Sequence, residues 1–271
     1  MRLFVAGLRK LIRRPATYIT FLLVILLLGL ILISIGATAR QAATQQGGGG
    51  PAAILLITFP VAYSFVLSFI LGLGGLFAVI YGAAVAGSEW TWGTLKAVVA
   101  RGESRSRYQL VSFAALTLLL GVGLVVAYAL GIVLMVIGDT IGGISISGLS
   151  DTSALGTLPE LLARGWLAIA EQAALGYTIA TLARSQLAGI ATGIGVYFVE
   201  QFSTIFLPDV VKYLPFHVAG DVVAVGSGGG FGGGGQAQGL DPNTALLLVA
   251  IWLIGALVVT AAFTERAEIS G

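Results

Sequence analysis

The chain has 271 residues, of which 57% are hydrophobic and only 10% charged, with a net charge of +2 and a mean hydropathy of +1.00. An ordinary soluble domain is about 25% charged, so a soluble globular domain is excluded, and the near-neutral balance excludes a basic nucleic-acid binder. The lack of cysteine rules out a disulfide framework or thiolate centre, and the single histidine, His217, rules out a metal site built from several imidazoles.

Taken in chain order, the sequence predicts an all-α, polytopic membrane protein with six transmembrane helices. Residues 1–15 come first. Phe4, Leu8, Leu11 and Ile12 recur at helical spacing while Arg9, Lys10, Arg13 and Arg14 face elsewhere, and Pro15 breaks the pattern. This is the signature of an amphipathic interface helix on the inner leaflet. Six apolar runs follow, over 17–37, 54–86, 110–137, 160–182, 187–207 and 244–263. Each meets the roughly 20 residues that a spanning helix needs, and none shows the period-two alternation of a membrane β-barrel. The first run has a basic start and small residues at its end, like a secretory leader, but its length favours a retained span.

Orientation follows from the basic residues. Arg2, Arg9, Lys10, Arg13 and Arg14 precede span one, Lys96, Arg101, Arg105 and Arg107 lie between spans two and three, Arg184 between four and five, and Arg266 after six. These are eleven of the fourteen lysines and arginines; Arg40 and Lys212 fall on the other side and Arg164 inside span four. The positive-inside rule therefore predicts both termini in the cytoplasm of a cell-membrane protein. On the outer side, Gly47 to Gly50 and residues 226–239 read as flexible linkers. Between them in sequence, Asp209 to Val225 is too apolar for a free loop and too broken to span, which predicts a short interfacial or re-entrant helix before span six.

The one sizeable cytoplasmic loop is 87–108. Ser88 is placed to cap a short helix with Glu89 in its first turn. Trp92, Leu95, Val98 and Val99 would form its apolar stripe, and Gly102 its end. Two tryptophans in such a loop point to interfacial anchoring or a protein contact.

A span ending in small residues, then E-x-x-x-G-T-L-K (Glu89, Gly93, Thr94, Leu95, Lys96), then S-R-x-R (Ser104, Arg105, Arg107) before the next span, resembles the permease subunits of type-2 ATP-binding-cassette exporters. The basic N-terminal helix, the six spans and the broken apolar segment at Leu214-Pro215 extend the likeness over the whole chain. The resemblance implies a dimer with a second permease copy or related subunit. It implies a separate cytoplasmic ATPase subunit that binds ATP and magnesium, leaving this chain without a cofactor. It also implies a coupling helix, here Glu89 to Ala100, docked on that ATPase. Glu89, Trp92, Gly93, Thr94, Leu95, Lys96 and Arg105 would then carry the coupling, with Trp92 as an aromatic knob.

Ionisable groups inside spans are costly and face an interior or a cavity. Span four contains Arg164 and Glu171, and span five Glu200. A capping box of Thr157 and Glu160 would start span four. Glu171 then falls about 16 Å further in, near mid-bilayer, and Arg164 is placed to neutralise one of the carboxylates. Gly189-x-x-x-Gly193 and the Ala78, Gly82, Ala86 series permit close helix approach, within the chain or between copies.

No phosphate-binding loop G-x-x-x-x-G-K-[ST], nucleophile elbow or H-E-x-x-H occurs, so the chain is not expected to be an enzyme. The expected function is the permease subunit of an ATP-driven exporter of an amphipathic or hydrophobic cargo such as a drug, lipid or peptide. Phe59, Tyr63, Phe65, Phe69, Tyr197, Phe198 and Phe202 would line its pathway. Two other classes compete: a proton-coupled secondary transporter that uses Glu171, and a non-transporting membrane anchor or assembly subunit.

Overall fold

The computed structural model describes residues 2–44, 57–100, 102–223 and 239–267. Among them every regular element is a helix. These are α1 (Arg2–Ile12), α2 (Pro15–Thr44), α3 (Val61–Thr91), α4 (Thr94–Val99), α5 (Arg105–Gly142), α6 (Thr152–Ala183), α7 (Gln186–Ser203), α8 (Pro208–Val211), α9 (Pro215–Asp221) and α10 (Pro242–Arg266), with a 3-10 turn at Ser147–Ser150. Residues 45–56, Arg101 and 224–238 lie outside the description. With them go the glycine run Gly47 to Gly50, the start of predicted span two and nearly all of the predicted outer linker. The side chains of Leu95, Lys96 and Val99 are likewise not described.

Four of these helices are long and apolar enough to cross a membrane: Pro15–Arg40, Val61–Thr91, Arg105–Gly142 and Pro242–Arg266. That is the character of a multi-pass membrane protein. Helices α6 and α7 are also long, at 32 and 18 residues, or about 48 and 27 Å at 1.5 Å per residue. Their apolarity is diluted by Glu171 and Gln172 in α6 and by Glu200 and Gln201 in α7. The dilution has a packing reason. Helix α6 is the hub of the bundle, touching α3, α5, α7, α9 and α10, and Glu171, Gln172 and Glu200 are buried against neighbours. In α3, 56% of the most apolar stretch is buried, against 28% in α2 and α5 and 17% in α10. The most hydrophobic helices are therefore the ones left facing outward.

Helices α2, α5 and α7 run away from one end of the bundle, and α3, α6 and α10 run towards it. That end gathers Arg9, Lys10, Arg13, Arg14, Arg105, Arg107, Arg184 and Arg266 and is called here the basic end. Two glycine seams hold the bundle. Gly82 of α3 abuts the Ala173 carbonyl of α6, and Gly176 of α6 abuts the Val79 carbonyl of α3. Gly36 of α2 and Gly138 of α5 meet backbone to backbone. The Gly189 and Gly193 pair is spent inside the chain, on Ala180 of α6 and Val79 of α3, and so is not free to form a contact between copies.

Several sequence expectations change. Four runs extend at both ends, to Pro15–Thr44, Arg105–Gly142, Thr152–Ala183 and Pro242–Arg266; the second runs on past its predicted end to Thr91, and the fifth stops early, at Ser203 rather than 207. Helix α6 starts not at a Thr157–Glu160 box but at Asp151, whose carboxylate accepts the N–H groups of Ser153 and Ala154. Thr157 instead donates to the Ala154 carbonyl at 2.8 Å. The aromatic residues of predicted span two are core: Phe59, Tyr63, Phe65 and Phe69 are all buried, so they do not line a pathway between copies. Phe198 and Phe202 are exposed.

Candidate functional site

The site is built where α1, α3, α4 and α5 meet at the basic end. The expected break after span two does not fall at Gly87. Gly87 sits against Gln186, a close approach that needs the missing Cβ, and α3 runs on through Ser88 and Glu89 to Thr91. The reversal comes at Gly93, with φ +65, a left-handed conformation that glycine adopts without strain. Only then does the six-residue α4 begin, at Thr94. The helix expected over Glu89 to Ala100 is thus two elements, and Ser88 is no cap. Its hydroxyl donates to the Val85 carbonyl at 2.8 Å and accepts from Arg14 at 3.0 Å.

Glu89 is therefore in the last turn of a long helix and is 1% exposed. A negative charge at a helix C-terminus is opposed by the helix dipole, and a buried carboxylate needs partners. It has three. Lys10 Nζ of α1 donates to Oε1 at 2.5 Å, the Tyr108 hydroxyl of α5 donates to Oε2 at 2.9 Å, and the Thr94 hydroxyl of α4 also donates to Oε2. One carboxylate thus bonds to the three elements around the end of α3. Beside it a cavity of about 110 Å³ lies between α1, α3 and α5, with Lys10, Glu89 and Tyr108 on its polar side and Leu3 and Leu11 among its apolar walls. Nearby, Thr17 of α2 donates to the Leu11 carbonyl at 2.7 Å and pairs with the Tyr81 hydroxyl at 2.5 Å.

The two tryptophans part ways. Trp92 is 65% exposed with the Arg14 guanidinium 5.5 Å from its ring centre. Trp90 turns inward, and Arg184 lies 5.5 Å from it and 5.3 Å from Phe263 of α10. Arg184 carries the one positive φ among described non-glycine residues, 50°, at the C-cap of α6. Each cation–π contact is worth about 0.5–1 kcal/mol at exposed sites, which offsets the roughly 1–2 kcal/mol of the left-handed backbone. Arg105, expected to face a partner, donates instead to the Ala267 carbonyl at 2.6 Å and ties the start of α5 to the end of α10. Ser106 and Glu265 add a second link between the same ends.

The polar residues predicted inside spans four and five do not form one hydrogen-bonded network. Arg164 pairs with Glu160 at 2.6 Å and donates to Asn243 at 3.1 Å, holding together the ends of α6 and α10 that lie away from the basic end; it neutralises neither Glu171 nor Glu200. Glu200 accepts the His217 backbone N–H at 2.6 Å and so fastens α9 to α7. Glu171 is fully buried, and neither of its oxygens has a hydrogen-bond partner among the described residues. The Gln172 side-chain oxygen beside it is also unpartnered and lies against Gly75. Lys10, Arg14, Tyr108 and Arg184 were not singled out as site residues, and a linear pattern has no means of finding them: Lys10 and Glu89 are 79 residues apart.

No protein-family model matches the chain, and no curated protein is significantly similar to it.

Proposed function

We propose that the chain is the permease subunit of an ATP-driven exporter, with α2, α3, α5, α6, α7 and α10 as six spans and the basic end in the cytoplasm of a cell-membrane protein. The observation that carries this reading is the Glu89 junction. A short helix with an exposed tryptophan at its base is bonded through one buried carboxylate to the ends of α1, α3 and α5. A push on α4 from a docked ATPase would reach three other helices at once, because packed elements move as bodies. Trp92 under Arg14 supplies an amphipathic knob of the kind enriched at interface hot spots. A second permease copy completes the pathway, and the cargo is amphipathic or hydrophobic, in keeping with the exposed Phe198 and Phe202. ATP and magnesium belong to the partner.

The test is co-purification from the native host followed by an ATPase assay. A stoichiometric cytoplasmic ATPase that is lost from the complex with Trp92→Ala supports the reading. A preparation without ATPase that still moves cargo down a pH gradient rejects it in favour of a proton-coupled transporter. Glu171, buried and unpartnered, is the observation that favours that second reading.

A further inference from the structure

The sequence predicts that Phe4, Leu8, Leu11 and Ile12 of α1 face the bilayer. The structure turns most of that stripe inward. Leu11 is 2% exposed, Phe4 and Leu8 pack on the core, and Lys10 reaches Glu89. A different face is left outside: Val5, Arg9 and Ile12 of α1, at helical spacings of four and three, with Val5 at 53% and Ile12 at 42% exposure, continued by exposed Arg13 in the turn after α1, whose N–H still donates to the Arg9 carbonyl at 3.2 Å. Arg9 and Arg13 make no ion pair among the described residues.

The depth of this face decides what it meets. Gly7 lies over Ala115, and the cavity under α1 is walled by Tyr108, Val111 and Ser112. Helix α1 therefore lies beside the first three turns of α5, where the apolar stretch Arg105–Gly142 begins. A helix at that depth, turned away from the bundle, stands at the headgroup level. Two guanidiniums flanked by two aliphatic side chains suit an anionic lipid there: the guanidiniums meet phosphate and the aliphatics meet the glycerol and upper acyl region.

The geometry points to the outer face of α1, through Arg9 and Arg13, as a binding site for the phosphate headgroups of anionic lipids. This does not rest on the exporter reading; it needs only the membrane placement of the apolar helices. Lys10, the neighbour of Arg9, points about 100° away from it around the helix and reaches Glu89 instead, so it is not part of this face.

The chain has no cysteine, so Ile12→Cys gives a single labelling point for an environment-sensitive fluorophore. The full-length labelled protein is placed in nanodiscs of phosphatidylcholine with increasing phosphatidylglycerol. Each basic residue near an anionic surface contributes about 1 kcal/mol, and 1.4 kcal/mol is tenfold. The Arg9→Gln/Arg13→Gln variant should therefore need roughly thirty-fold more phosphatidylglycerol for the same blue shift. High salt should erase the preference of the parent protein, and inorganic phosphate alone should produce no shift. Both variants alter exposed positions, and an unchanged melting profile confirms that they fold. The proposal is overturned if parent and variant titrate alike. It is equally overturned if the probe is shielded in phosphatidylcholine alone and ignores added lipid, which would mean a protein or a second copy covers the face.

Discussion

Of the buried glutamates in this bundle, the two least exposed, Glu89 and Glu171, are opposites. Glu89, at the end of α3, has donors from α1, α4 and α5. Glu171, in the middle of α6, has none among the described residues. Glu89 lies where the ends of α1, α4 and α5 converge and so meets a lysine and two hydroxyls, whereas Asp139, in the last turn of α5, is as buried and has no hydrogen-bond partner among the described residues. An acid in the middle of a helix can recruit only what the facing helices present, and Glu171 finds no donor there among the described residues. The first acid is an anchor for neighbouring elements. The second makes no hydrogen bond among the described residues.

The largest expected effect tests the anchor. Lys10→Met leaves a buried carboxylate with two hydroxyl donors and no cation. Breaking a buried pair costs about 3–5 kcal/mol. Lys10 is 34% exposed, so a loss near the lower limit, roughly 3 kcal/mol, is expected. Thermal unfolding of the detergent-solubilised protein would measure it. Adding Glu89→Gln to Lys10→Met should recover much of the loss, since the orphaned charge is then gone. If Lys10→Met melts like the parent, Glu89 is not the anchor described here.

Next is the seam that joins the two helices carrying these acids. A Cβ on Gly82 would strike the Ala173 carbonyl, two residues from Glu171, whereas a Cβ on Gly195 of α7 would meet nothing within 4 Å. Gly82→Ala should destabilise by roughly 1–3 kcal/mol through overpacking, while Gly195→Ala should be neutral or stabilise by up to about 1 kcal/mol through helix propensity. Equal shifts in melting temperature for the two would show that the seam tolerates separation.

How much of this could be read from the sequence depends on the link in question. The helical class and the long apolar runs were legible, because a run of some 20 apolar residues has few other uses. Element ends were not. Gly87 and Gly93 look alike in a sequence, yet one is a close-packing glycine against Gln186 and the other the left-handed turn that ends α3. Which face of α3 is buried was also illegible: a helix apolar all round carries no stripe, so Phe65 and Phe69 gave no sign that they belong to the core. The lone charges were found, but their partners were not. Arg164 had two carboxylates further along the chain to choose from and pairs with Glu160, one turn before it, because a helix always brings i and i+4 together.

A smaller effect tests Glu171 itself. Glu171→Gln breaks no hydrogen bond among the described residues, so it should cost less than the roughly 3 kcal/mol expected for Lys10→Met. Glu89→Gln, which leaves Lys10 without its counter-charge, should cost more. The sharper readout is flux. Under the proton-coupled reading, Glu171→Gln abolishes gradient-driven transport in proteoliposomes, and under the exporter reading ATP-driven transport survives. A large loss of stability in Glu171→Gln would show a structural partner and dissolve the contrast with Glu89.

The smallest effect lies at the far end of the molecule, where another buried acid stands between those two extremes. Asp221, in the short helix α9, is 5% exposed and accepts one backbone N–H, from Leu240 at 2.9 Å. Burial raises its pKa above the ordinary carboxylate value, and the Leu240 N–H and the charge of His217 only partly oppose this. A carboxyl whose pKa is raised on folding binds more protons in the folded than in the unfolded chain, so its contribution to stability is greatest in acid. That contribution falls as pH rises from the ordinary carboxylate range through the raised value. Asp221→Asn removes this titration while leaving an acceptor for Leu240. The expected result is a melting curve whose decline from acid towards neutral pH is shallower in Asp221→Asn than in the parent, by a fraction of the shift seen for Lys10→Met. A parent slope of the opposite sign that vanishes in the variant would mean that hydrogen bonding outweighs burial at Asp221, and would move it to the side of Glu89, an acid satisfied by its neighbours.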